Sequence, residues 1–152
     1  MTVAPEIQQR IRLLSDSLLY ERAVEFVRQH GWVADAQLNS LLQYAQEWRD
    51  LTRFVDRQRQ RDWAQSRQTE HYGQFYNDLH EALRQLKHEA AQFVPIGLGR
   101  REQQAQTALY AGLLAREFVQ HLAAEAQFAQ AVGKSEQPGA APMGQRHQRR
   151  ER

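Results

Sequence analysis

Apolar residues recur at three- and four-residue intervals through most of this chain, and no segment alternates apolar and polar in the two-residue rhythm of a strand. That interval lines apolar side chains along one stripe of a helix. Ala, Leu, Gln, Glu and Arg dominate, and prolines fall near the ends of the periodic segments. The fold class expected is all-α, a bundle of four to five helices with short loops and a disordered basic C-terminal tail.

Pro5 suits a first helical position. Ile7, Ile11, Leu14, Leu18 and Leu19 follow it at helical spacing, continued by Ala23, Phe26 and Val27. Ser15-Asp-Ser17 is expected to split this run, with Ser15 or Asp16 capping the second piece. Gly31 marks a stop. Asp35 is the next expected N-cap, opening one stripe through Leu38, Leu41, Leu42, Ala45, Trp48, Leu51 and Phe54/Val55. From Asp56 to Glu70 only Trp63 and Ala64 are apolar, so this stretch is either an exposed helical extension or a long polar connection. Periodicity resumes at Tyr72, Phe75, Tyr76, Leu79, Leu83, Leu86 and Ala90, and Pro95-Ile-Gly-Leu-Gly99 breaks it. A last helix carries Ala105, Leu109, Leu113, Leu114, Phe118, Leu122 and Phe128 on its expected buried face, and Gly133 closes it. Residues 1–133 therefore form one domain, and 134–152 the tail, whose composition offers no core.

Cysteine is absent, which excludes disulfides, thiolate zinc sites and cysteine nucleophiles and fits a cytoplasmic protein. No secretory signal opens the chain, and no apolar run reaches the roughly 20 residues of a membrane span. A soluble chain without membrane attachment is expected.

The net charge of +2 is unevenly placed. Residues 49–67 carry six Arg against three Asp, and residues 134–152 are also +3, so the remainder is −4. Within the first block, Arg49, Arg53, Arg57 and Arg61 repeat every four residues, flanked by Arg59 and Arg67. On a helix this spacing stacks guanidinium groups along one stripe, suited to phosphates of an extended backbone. The competing reading is a solvated face neutralised by Asp50–Arg53, Arg53–Asp56 and Arg59–Asp62 pairs at i,i+3. Trp63 stands isolated among these arginines and is a candidate to stack on unpaired bases, with packing against a neighbouring subunit as the alternative.

Catalytic and metal-ligating patterns are thin. Glu117, His121 and Glu125 share one helix face, but neither two His at i,i+4 nor paired Glu-x-x-His motifs occur. No Gly-x-Ser-x-Gly or phosphate loop is present. Neither an enzyme nor a cofactor is expected. Gly97-Leu-Gly99 with Arg100-Arg101 opens a helix whose N-terminus can hold an anion, or is a flexible corner.

The segment Thr69-Glu-His-Tyr-Gly-Gln74-Phe75-Tyr76-Asn77 has a Thr and a Gln ahead of an aromatic pair that begins a helix. In a Cys-free helical chain with a basic helix, it resembles the helical small subunits of type III CRISPR effector complexes. The final helix, with Phe118 and Phe128, is compatible with that family's closing helix. The resemblance implies a non-catalytic subunit, several copies of which stack along a guide-RNA–target duplex while neighbours supply nuclease activity. Gln74 adjoins Phe75 without an intervening basic residue, so no contact residue is carried over from the motif.

The function expected is therefore a non-enzymatic subunit of a ribonucleoprotein. Arg49, Arg53, Arg57 and Arg61 would contact phosphates, with Arg59, Arg67 and Trp63 assisting. Its partners would be nucleic acid, RNA first, and other subunits including copies of itself. The alternative is a helical adaptor that self-associates or binds an acidic protein surface, with Trp63 as its anchor.

Overall fold

The computed structural model describes residues 3–136, with side chains as far as Gly133. The basic tail lies outside the described residues, apart from the helical backbone of 134–136. Among the described residues there are helices and turns but no strand. The elements are α1 (Pro5–Leu14), a π turn (Ser15–Leu19), α2 (Tyr20–His30), α3 (Asp35–Tyr44), α4 (Trp48–Arg59), α5 (Tyr72–Ala90) and α6 (Arg100–Glu136). Short 3₁₀ turns at Trp63–Gln65 and Ala91–Phe93 flank α5. Since α1 runs through the π turn into α2, five rods make up the bundle.

The last helix is the spine. Tyr110, Ala111, Leu114, Ala115, Phe118, Val119, Leu122, Ala123 and Ala126 are buried along it, one continuous stripe against which the other rods pack. Removing a side chain such as Phe118 from water contributes about 1.5–3 kcal/mol. The α1–α2 rod lies parallel to α6, with Arg10 over the Phe93 ring that meets Tyr110 at one end and Val33 bonded to Gln130 at the other. The fifth helix returns antiparallel, joined to α2 by Arg22–Glu89 and His30–Asp78.

Gly31 adopts φ 76°, the left-handed value expected of a glycine stop, and its N–H reaches the Val27 carbonyl. The chain then threads between α5 and α6, where Trp32 and Val33 carbonyls accept from His71 and Gln130. The Tyr72 hydroxyl accepts from the Ala34 N–H. Asp35 is the first helical residue, so Ala34 occupies the cap position expected of it.

Several expectations are corrected. The apolar stripe from Leu38 to Val55 is two helices, because the backbone turns at Ala45–Glu47. Glu47 is extended, and α4 restarts with Trp48 seated on Gly112 of α6. A Cβ added to Gly112 would meet the Trp48 Cβ and backbone nitrogen at 3.4 Å. Ser15 caps nothing, since the helix passes through it as a π turn. Of the two readings left open for Asp56 to Glu70, the polar connection holds beyond Arg59, where the chain folds back onto the bundle. Ala105 and Phe128 are exposed, Leu109 and Leu113 are half-buried, and α6 runs past Gly133.

Candidate nucleic-acid interface

Leu51, Phe54, Val55 and Gln58 turn one face of α4 into the core. This leaves Arg49, Arg53 and Arg57 exposed on the outer face, each about 6 Å further along the axis than the last. The neutralising pairs do not form. Asp56 takes Arg59 at 3.1 Å and faces His80 at 3.5 Å, so Arg53 is left without a carboxylate. Arg49 likewise makes no ion pair among the described residues. The Arg57 guanidinium lies 5.8 Å from the Tyr44 ring centroid, and Tyr44 stacks on Phe54 behind it.

The other candidates separate from this stripe. Arg59 clasps α4 to α5, donating to Asp56 and to the Asn77 carboxamide oxygen. Arg61 lies beyond the helix end and spans Gln58 and the Trp63 ring. Arg67 is exposed in the connection to α5.

Trp63 is corrected outright. It is only 9% exposed, its indole N–H donates to the Gln58 carbonyl at 2.7 Å, and its ring packs against Tyr72 and Tyr76. The last carbonyls of a helix need donors, and the indole supplies one. Asp62 caps the following 3₁₀ turn by accepting from the Ala64 N–H. Trp63 is thus neither a base-stacking platform nor an intermolecular anchor, and burial among the same rings raises the Tyr76 phenol above its ordinary range.

A second set of cations escaped sequence reasoning. Arg84 and Lys87 of α5 line a groove against Trp48 and Thr52 of α4, beside the arginine stripe. They stand far from the ladder in sequence, and nothing local marks them. Asp56 is the one carboxylate lining the groove, and Arg84 is paired at 2.7 Å with Glu81 on its own helix.

Glu117 and His121 meet at Ser15. The Ser15 hydroxyl donates to Glu117 Oε1 at 2.7 Å, leaving the His121 Nε2–H, at 2.9 Å, to donate to the serine oxygen. Ser15 is 3% exposed, and Tyr20 sets its ring edge on His121. This is a tie between helices at the π turn, and Glu125 has no part in it. Among the described residues no three His, Asp or Glu side chains are grouped to hold a metal, and no helix is long and apolar enough to cross a membrane.

Comparison with known proteins finds no matching family model, no matching curated sequence and no matching solved structure.

Proposed function

We propose that this chain is a non-catalytic helical subunit that grips a nucleic-acid backbone, RNA first, through the outer face of α4. The observation that carries this reading is the stripe of Arg49, Arg53 and Arg57, exposed at one-turn spacing with no carboxylate partner. Pairing with neighbouring aspartates would add only a few tenths of a kcal/mol each, so little holds these guanidinium groups back from a phosphate. Guanidinium groups at this spacing present forked donors to successive phosphates. Lys87 widens the positive surface toward α5, while the neighbouring Arg84 is paired with Glu81. The resemblance of residues 69–77 to type III CRISPR small subunits adds the assembly, in which copies stack along a guide–target duplex beside catalytic neighbours.

Three phosphate contacts give a log–log salt slope of about 2.7 on duplex and about 2.1 on a single strand. Replacing Arg49, Arg53 and Arg57 together by Gln should remove most of that slope while helix content and melting temperature stay as they were. Fluorescence anisotropy against salt concentration measures it. An unchanged slope in the triple variant would sink the reading.

A further inference from the structure

At Trp48 the α4–α5 groove opens into a larger cleft of about 540 Å³, where α4, α5 and α6 meet. Trp48, Lys87, Arg100, Gln103, Gln104 and Thr107 line it, and no carboxylate does. Each contributes something distinct. Trp48 is half-buried, and its backbone and Cβ sit against Gly112, so the base of its side chain is held in place. Lys87 and Arg100 are exposed and make no ion pair among the described residues. Arg100 begins α6, whose first amides have no acceptor one turn earlier and carry the positive end of a 37-residue helix.

Thr107 is the sharpest clue. It is nine-tenths buried, lines the cleft, and its hydroxyl makes no hydrogen bond among the described residues. Buried hydroxyl groups are normally satisfied, so one that lines a cleft without a protein partner is free to bond a group that enters it. An aromatic wall, carboxamides, a hydroxyl and two cations at a helix N-terminus are what a nucleotide needs: a surface for its base, donors and acceptors for the base edge, and positive charge for phosphate.

We infer that this cleft holds one unpaired nucleotide of the polymer bound by the α4 arginines, an inference that rests on the backbone-binding reading above. The base lies on Trp48, with Gln103, Gln104 and Thr107 at its edge. Its phosphate meets Lys87, Arg100 and the start of α6. The cleft thereby supplies the base contact that Trp63, buried in the core, cannot.

The experiment uses the full chain, a short oligouridylate, the same sugar–phosphate oligomer without bases, and uridine monophosphate. Trp48→Ala should weaken oligouridylate binding roughly tenfold or more, the size of one lost base stack. Trp48→Phe, which keeps an aromatic face, should restore most of it, and Thr107→Val should weaken it to a lesser degree. Neither Trp48 variant should alter the salt slope or the affinity for the baseless oligomer. Wild-type affinity in Trp48→Ala, or equal losses in Trp48→Phe and Trp48→Ala, would overturn the inference while leaving the arginine stripe standing. If instead the Arg49/Arg53/Arg57 triple Gln variant keeps its slope and Trp48→Ala still loses base-dependent binding, the stripe fails and the cleft stands. Uridine monophosphate binding as tightly as the oligomer would assign the cleft to a free nucleotide and overturn its place on a polymer.

Discussion

Arg61 lays its guanidinium 4.4 Å from the ring centroid of Trp63, closing over an indole that is otherwise sealed in the core. Two residues that look in sequence like parts of a recognition surface satisfy each other instead. The contact lies at the end of α4, where the chain must leave the helix and return to α5. Arg61 also donates to the Gln58 side chain while Trp63 holds the Gln58 carbonyl, so one short stretch secures the whole return.

Trp63→Ala is accordingly a stability variant. Deleting a buried aromatic of this kind costs about 3–5 kcal/mol. Urea denaturation should show that loss, together with a floppier connection from Gln60 to His71 by hydrogen exchange. A Trp63→Ala protein of wild-type stability would contradict the burial of this indole.

Ser15→Ala removes the oxygen shared by Glu117 and His121. Both partners are then left short of a hydrogen bond at a partly buried site, at a cost of about 1–3 kcal/mol. Thermal unfolding measures it. Ser15→Thr retains the hydroxyl and should recover part of the loss. If Ser15→Ala matches wild type, the tie does not contribute to holding α1–α2 on α6.

Arg22 forms a two-pronged ion pair with Glu89, and this hydrogen bonding, ahead of other influences, holds the Glu89 carboxyl below its ordinary value of 4.5. A carboxyl depressed in the folded state adds stability above its unfolded pKa and loses it as pH falls through the folded one. The contribution is therefore full at neutral pH and fades below about pH 4.5. Both side chains are partly solvated, which moderates its size. Glu89→Gln should be less stable than wild type at pH 7, and urea midpoints of the two should converge in acid. A gap that stays constant with pH would show that the pair is not the source.

The helical class, the stop at Gly31 and the core stripes of α3 to α5 were legible in the sequence because they depend on neighbours one turn away. Spacing places Leu38, Leu51 and Phe75 on buried faces whatever the rest of the chain does. The exposed arginines of α4 were legible for the same reason: a helix that buries Leu51, Phe54 and Val55 must present Arg49, Arg53 and Arg57 outward.

Only the tertiary structure decided where that face ends and what lies beside it. The stripe from Leu38 to Val55 continues in register across Ala45–Glu47, so nothing local marks the turn that seats Trp48 on Gly112. Trp63 in isolation fits a surface as well as a core; Tyr72, Tyr76 and the Gln58 carbonyl at the end of α4 settle it. Ser15 found Glu117 and His121 across more than a hundred residues, and Lys87 met Arg100 at a cleft through the packing of two helices on a third. Local spacing determines which side chains face inward, because helix geometry repeats every turn. Which distant groups share a site depends on how the faces pack, and that is a property of the assembled bundle.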